Sequence, residues 1–462
     1  RHFRRQRQMC IRDRYCKMEK KIIIVGAGLA GSLCALYMLQ RGYNVTVYER
    51  RSDMRKSVMT AGRSINLALS KRGWTALKKV GIEDRVMEIS IPMPKRIMHD
   101  LEGELTDQYY GNEDQAIYSV PRGELNVLLM NLAEKNGAQI FFNHKCVDVN
   151  MERAELTLAN TLEDSNINIK CDLIVGADGA FSAVRDKMTR QDRFQFSQYY
   201  IDHGYKELLI PANDDGSHKI EKHALHIWPR GNFMLIALPN LDGSYTCTLF
   251  SPFEGEDSFK ELNTPKKVTT FFNKVFKDFT PLIPDLVDQF FNNPTASLGI
   301  FKCYPWHIKG HCVLIGDSAH ATVPFYGQGM NASFEDCRVL DELIENYSED
   351  FSLVLREFSK SRKPNGDGLQ DLSLHNFIVM RDKTADPKFL LQKKIEQKFS
   401  QLYPDKWVPL YTMVSFTNIS YSDAWKIGMS QEKLMADIMS IENIDELWDS
   451  DAVMQKMLDL SI

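Results

Sequence analysis

No apolar run in this 462-residue chain approaches the roughly 20 residues that a membrane-spanning helix needs, and stretches such as VPLYTMVSF (408–416) stop well short. Low-complexity tracts and internal repeats are also lacking, which argues against a solenoid or a disordered scaffold. The nine cysteines are odd in number and scattered, with no CxxC pair, no Cys/His cluster at metal-ligand spacing and no apolar signal segment ahead of them. That pattern speaks against a disulfide framework and a structural metal, and predicts reduced thiols in a cytoplasmic, soluble protein. A formal charge of −4 with 26% charged residues shows none of the basic excess of a nucleic-acid binder. A small-molecule partner is the remaining expectation.

At this length a single core usually stops growing, which predicts two or three substructures. Residues 1–17, RHFRRQRQMCIRDRYCK, carry seven Arg and Lys against one Asp in an otherwise acidic chain. They lack the serines and amphipathicity of a transit peptide. Met18, directly before EKKIIIVGAG, reads as the native start, which makes 1–17 a non-native leader.

From there KKIIIVGAGLAGSLCALYMLQRGYNVTVYER reads as a strand, a glycine turn, a helix ending near Gly42 and a second strand closing on Glu49. The runs AQIFFNHKCVDV and CDLIVGADGA extend or flank the same sheet. Between about 196 and 250 the texture changes to alternating segments separated by Asn, Asp, Gly and Pro, which predicts an antiparallel sheet. HCVLIGDSAHA returns to a buried strand of the first type, and the chain beyond about 332 is helical. The expected architecture is α/β: a Rossmann-like nucleotide domain over 18–195, with an insertion near 90–118, and 301–365. It is joined to an antiparallel sheet over 196–300 and a helical cap over 366–462.

Gly26, Gly28 and Gly31 form GxGxxG between strand and helix. The first permits the tight turn, the second lets backbone approach a pyrophosphate, and the third lets helix and strand pack closely. Glu49 stands 21 residues after Gly28, where a carboxylate accepts from a ribose and repels the 2'-phosphate of NADP. FAD is the favoured ligand over NAD, because a simple dehydrogenase requires neither DLIVGADGAFSAVR (172–185), with Asp178 at its turn, nor LIGDSAHATVPFYGQGMNASFEDC (314–337).

These three ordered motifs resemble the fingerprints of the single-component FAD-dependent aromatic hydroxylases over nearly the whole chain from Met18. The resemblance implies that Asp317 contacts the ribityl chain and that the Pro324 to Asn331 segment lies along the isoalloxazine, where N–H groups at a helix start stabilise electron-rich flavin. Dispersed segments, GRSINLALS (62–70), PMPKRIMHD (92–100), QYYGNEDQAIYSVPRGELN (108–126), LHIWPRGNFMLIALPN (225–240), DLSLHNFIVMRD (371–382) and VPLYTMVSF, narrow the resemblance to the kynurenine 3-monooxygenases. Carried over by position, it implies that Arg96, Tyr110, Asn376 and Tyr411 hold the amino-acid end of L-kynurenine. It further implies that Ala68, Arg122, Val147, Asp317, Met330 and Asn331 contact FAD.

An Arg with phenol and amide donors is what a zwitterion's carboxylate demands. Taken singly, each also fits a plainer role: Arg96 a surface ion pair, Asn376 a helix-face amide, the tyrosines core edges. His320 fits a packed or cofactor-flanking position better than a catalyst, and no acid-base set or metal site stands out, as expected when the cofactor carries the chemistry.

The implied reaction consumes NADPH and O2 and hydroxylates L-kynurenine to 3-hydroxykynurenine through a flavin C4a-hydroperoxide. NADPH has no second GxGxxG to dock on. Eukaryotic members carry a hydrophobic C-terminal anchor, whereas this chain runs into the acidic IENIDELWDSDAVMQKMLDLSI, so a bacterial-type enzyme without a membrane anchor is implied. Two alternatives stay open at this point: an FAD hydroxylase of another aromatic acid, and a flavin-binding sensor or scaffold.

Overall fold

The structure, a computed structural model, describes residues 20–56, 66–110, 115–380 and 386–460. The leader segment 1–17 lies outside the described residues.

Lys21–Val25 is the centre of a mostly parallel sheet whose strand order is His307–Ile308, Cys312–Leu314, Leu173–Gly176, Lys21–Val25, Asn44–Tyr48 and Gln139–Phe141. Ile22, Ile23 and Ile24 are fully buried. A parallel strand is covered on both faces, so it reads as an unbroken apolar run rather than an alternation. Burying each such side chain contributes about 1.5–3 kcal/mol. Lys21–Val25 and Cys312–Leu314, far apart in sequence, thus lie two places apart, with Leu173–Gly176 between them.

The second sheet has the order Thr295–Tyr304, Gln195–Ile210, Tyr245–Pro252, Phe233–Pro239, Ala224–Arg230, Lys95–His99 and Leu105–Tyr109. It is antiparallel except where Ala224–Arg230 runs alongside Lys95–His99. Segment 95–109, read from the sequence as part of an insertion in the nucleotide domain, therefore completes this sheet's edge. Asp100 makes the turn, its Oδ1 accepting from the backbone N–H of Glu102 and Glu104. Because side chains alternate along a strand, Arg96 and Met98 face one side while Ile97 and His99 face the other.

That other side packs on the helices Pro265–Val275 and Leu286–Asn292 through Trp228, Phe272, Phe276 and Phe279. Within this layer His99 bonds Asp278 through Nδ1 (2.6 Å) and His226 through Nε2 (2.9 Å), and Trp228 donates to the same Asp278 oxygen (2.8 Å). Burial pushes the His226 imidazole down to about 4, with the charge of His99 in the same direction and the Glu221 carbonyl opposing. The unfolded chain, with an ordinary His, therefore takes up this proton more readily, and stability falls as pH drops from about 6.5 towards 4. The loss expected from this group between pH 7.5 and 5 is about 2 kcal/mol. In urea unfolding, a His226→Gln variant should lose less stability than the parent over that range, and equal losses would contradict the reading.

The C-terminal part is helical, with Gly329–Asn346, Phe351–Ile378, Pro387–Leu402, Leu410–Phe416, Tyr421–Met439 and Asp451–Leu460 as its longer helices. Phe399, Trp407, Met435, Ile438 and Met457 form a core of their own at its end. Among the described residues no helix is long and apolar enough to cross a membrane.

Candidate active site

The glycine turn closes on the neighbouring strand. Gly26 has φ of +106°, and a Cβ there would lie 2.5 Å from the Ala177 carbonyl oxygen, so only glycine fits. At Gly31 a Cβ would lie 2.0 Å from the Gly26 oxygen, whereas at Gly28 it would meet nothing within 4 Å. The turn is thus packed on its protein side and open where a pyrophosphate would approach. Glu49 is buried, with Oε2 accepting from Ala27 N–H (3.0 Å) and Oε1 from Arg51 N–H and Nε (3.0 and 2.8 Å). Burial alone would raise its pKa, but Arg51 and these N–H donors outweigh it and hold the carboxyl below its ordinary value. It stays an anion with lone pairs left for a ribose.

Asp178 is engaged by protein groups. Its Oδ2 accepts from Ala183 and Val184 N–H (2.7 and 3.3 Å), capping the helix Ala183–Met188, and its Oδ1 accepts from the Ser318 hydroxyl (3.2 Å). Ser318 in turn accepts from Gly179 N–H (2.9 Å), so the second and third motifs are tied side to side. Val147 sits at a bulge in the strand His144–Asn150, between Cys146 and Asp148, which keep their partners. A bulge frees backbone groups from the ladder and re-aims a side chain.

The third motif is braced from below. Gly316 N–H donates to Asp336 (2.8 Å), which also accepts from His320 Nε2 (2.6 Å) and Arg362 Nε (2.7 Å). Glu335 next to it accepts from Arg362 (2.6 Å) and Arg72 (3.0 Å). These five side chains are almost wholly buried. Asp317, by contrast, is exposed between buried neighbours, and its carboxylate has no partner among the described residues. Asn331 is fully buried, donating to the Ala68 and Gly327 carbonyls (2.9 and 3.1 Å) and accepting from Ser70 N–H (2.9 Å). Ala68, Gly327 and Asn331 therefore meet across 263 residues of sequence.

These features fit FAD: an open glycine turn, an anionic Glu49, an unpartnered Asp317, and a helix start at Gly329 and Met330 beside the turn Pro324–Tyr326. Arg122 begins the helix Arg122–Lys135, exposed, with its charge reaching Glu207 and Tyr205 of the second sheet.

Arg96 lies between sheet and helical cap. Its Nε donates to Gln108 Oε1 (2.8 Å) on the paired strand, while its terminal nitrogens have no partner among the described residues. Its guanidinium carbon lies 5.7 Å from the centre of the Tyr411 ring. Tyr110 and Tyr411 stack at 5.1 Å and 12°, and Tyr326 also stacks on Tyr411, at 5.7 Å and 18°. Burial pushes all three phenols up, while the Arg96 charge opposes it in each. Tyr110 and Tyr411 also perturb each other's titration, yet Tyr110 Oη, wholly enclosed, meets the geometry of no hydrogen bond. An enclosed orphan phenol beside an unoccupied guanidinium fork is the signature of a polar ligand's place. Asn376 donates to the Phe325 carbonyl (2.6 Å), leaving its Oδ1 free among the described residues. Phe250, Phe325 and Phe377 pack with Ile227 and Val323 in an apolar wall between sheet and turn.

Residues 19–371 match the family described as FAD binding domain. Near full-length relatives are kynurenine 3-monooxygenases: 51% identity to that of Christiangramia forsetii over 96% of this chain and 99% of the relative, and 45% to that of Sus scrofa over 90% and 88%. This chain belongs to the kynurenine 3-monooxygenase family. The fold is also that of a solved 2-methyl-3-hydroxypyridine-5-carboxylic acid oxygenase, with a TM-score of 0.65 at 20% identity, over 80% of this chain and 95% of that one.

For a kynurenine 3-monooxygenase the sequence reading was incomplete in two places. Gln108 stood inside a quoted segment without a role and Tyr326 only within the Pro324 to Asn331 segment expected along the isoalloxazine, and of the buried group Arg72, His320, Glu335, Asp336 and Arg362 only His320 was expected to be packed. Only the three-dimensional arrangement joins them. Among the described residues no group of His, Cys, Asp and Glu is arranged to hold a metal.

Proposed function

We infer that this chain converts L-kynurenine, NADPH, O2 and a proton into 3-hydroxykynurenine, NADP and water, and that the carboxylate of the substrate is gripped by Arg96. The observation that carries the reading is the Arg96 guanidinium, held at Nε by Gln108, with no partner for its terminal nitrogens among the described residues, beside Tyr110 and Tyr411. FAD, when bound, supplies the electron transfer from NADPH and the activation of O2.

The protein's own task is positioning. Arg96 binds the carboxylate through two parallel bonds and the phenols complete its acceptors. Asn376 Oδ1 accepts from the substrate's ammonium. The aromatic ring then lies along the wall of Phe250, Phe325 and Phe377, which excludes water from the reacting carbon. That carbon, beside the aniline nitrogen, is already electron-rich, so orientation and dryness suffice. On the cofactor side Gly26, Gly28, Gly31, Glu49, Val147 and Asp178 shape the nucleotide end. Ala68, Arg122, Asp317, Met330 and Asn331 shape the flavin end. The free thiols among the described cysteines suit the cytoplasm, where we place the reaction.

Gln108 fixes the fork's direction without touching substrate. Replacing it by Leu removes one bond to a charged group, about 1.5 kcal/mol, so KM for L-kynurenine should rise roughly tenfold with kcat little changed. A fall in kcat at constant KM would contradict this.

The function itself is tested by NADPH oxidation with a panel of aromatic acids. Stimulation by L-kynurenine and not by hydroxybenzoates is expected. The reverse preference would indicate a hydroxylase of another aromatic acid, and bound FAD without any hydroxylated product a sensor.

A further inference from the structure

The column of Tyr110, Tyr411 and Tyr326 joins three parts of the fold. Tyr110 follows the edge strand of the second sheet, Tyr411 belongs to the helix Leu410–Phe416, and Tyr326 ends the turn Pro324–Tyr326 of the third motif. The first two have a place in the amino-acid grip. Tyr326 has none, although its neighbours fix its position closely.

The turn that carries it is held at each following or preceding residue. Asn376 donates to the Phe325 carbonyl, Asn331 donates to the Gly327 carbonyl, and the Gln328 side-chain oxygen accepts from Ser70 (3.2 Å) and Tyr421 (3.0 Å). The Tyr326 ring is buried against Leu369, Leu372 and Met413 and stacked on Tyr411. A phenylalanine would fill this ring position equally well, so packing explains the ring and leaves the hydroxyl unexplained. No hydrogen bond engages the Tyr326 hydroxyl among the described residues, and unlike that of Tyr110 it is not sealed off by protein, so a polar ligand can reach it. Its ring shares Tyr411 as a neighbour with Tyr110 and Arg96, and the Tyr110 hydroxyl and the terminal nitrogens of Arg96 likewise have no partner among the described residues.

We propose that Tyr326 is a substrate-binding residue whose hydroxyl donates to the same carboxylate that Arg96 holds, so that the turn carrying it contacts the amino-acid end of the substrate directly. The proposal rests on the reading that this chain binds an aromatic amino acid through Arg96, and adds a residue to that site. Tyr326 also makes the grip continuous with the flavin-side turn, because Phe325 and Gly327 on either side of it contribute the apolar wall and the Asn331 contact.

The test is a double-mutant cycle on the FAD-loaded enzyme with Tyr326→Phe, Arg96→Ala and the double variant. It is read as kcat/KM from product formed at low substrate, together with Kd for L-kynurenine in the parent and Tyr326→Phe proteins. Tyr326→Phe keeps the ring in the column, and the bound-flavin absorbance reports that each variant is folded. One bond to a carboxylate is worth about tenfold, so Tyr326→Phe should lower kcat/KM and weaken Kd roughly tenfold in the parent. In the Arg96→Ala background, where the carboxylate is no longer held, the same change should cost less than about twofold. An equal loss in both backgrounds would show that the hydroxyl serves the turn and not the carboxylate, and would overturn the proposal, as would no loss in the parent. If the parent forms no 3-hydroxykynurenine, the assigned reaction fails; Kd, which needs no turnover, still decides whether the Tyr326 hydroxyl meets the ligand.

Discussion

Replacing Arg96 by Ala is expected to raise KM for L-kynurenine at least about 30-fold, because truncating one partner of an enclosed, hydrogen-bonded charge pair costs about 2–5 kcal/mol. The magnitude follows from the surroundings. The guanidinium is partly buried, its Nε is already used by Gln108, and its carbon lies 5.7 Å from the Tyr411 ring, with no partner for its two terminal nitrogens among the described residues. Arg96→Ala removes the charged donor, and the orphan hydroxyl of Tyr110 gives only a neutral one in its place. Arg96→Lys should recover part of the loss by restoring charge without the planar fork. Steady-state kinetics with product quantified decides it, and an unchanged KM with every NADPH yielding product would remove Arg96 from the site.

The largest stability effect should come from Asp336, which no reaction uses. Its carboxylate is wholly buried and accepts from Gly316 N–H, His320 Nε2 and Arg362 Nε together. Burial would raise its pKa, but the His320 and Arg362 charges outweigh it and hold it below the ordinary carboxylate range. Asp336→Ala strands a buried guanidinium with only Glu335 opposite and leaves the Gly316 N–H without an acceptor. Breaking a buried pair from one side costs about 3–5 kcal/mol. Because Gly316 directly precedes Asp317, the variant should also lose FAD during purification. Chemical unfolding of the cofactor-free proteins measures the first effect and flavin content the second. A stability change under about 1 kcal/mol, the range of an ordinary substitution, would contradict the account of this network.

The contrast between these two residues shows what a sequence carries. GxGxxG was legible because all three glycines act within one turn, and each spacing has a steric reason that survives in the structure. The parallel strand Lys21–Val25 announced itself by having no polar face. Arg96, Tyr110, Asn376 and Tyr411 were nominated by resemblance, and the structure brings Arg96, Tyr110 and Tyr411 into one cluster, with Asn376 of the helix Phe351–Ile378 bonded to the turn that carries Tyr326. Asp336 had no such signal: its partners come from a glycine turn and from a separate helix, and a buried Asp in a helical run looks like any other surface carboxylate. Gln108 was equally silent, since its link to Arg96 depends on a turn at Asp100 that sets the register of two strands. Segment 95–109 joined the second sheet by a parallel pairing with Ala224–Arg230, a long-range choice that alternation alone does not specify.

The Tyr110, Tyr411 and Tyr326 column makes the same point for function. Each tyrosine lies in a different module, and only their stacking shows that the turn Pro324–Tyr326, the edge of the second sheet and the helix Leu410–Phe416 meet. The stretch from Leu314 to Cys337, far from Gly26 in sequence, comes back beside the glycine-turn helix, where a Cβ at Gly316 would lie 3.2 Å from the Ala30 side chain.

Turnover of L-kynurenine under labelled O2, with the product resolved by mass spectrometry, tests the central assignment most directly. One labelled oxygen atom in 3-hydroxykynurenine, with one NADPH consumed per product formed, is the result this site predicts. NADPH consumption without a labelled product, or label appearing in a different aromatic acid while L-kynurenine is untouched, would contradict it.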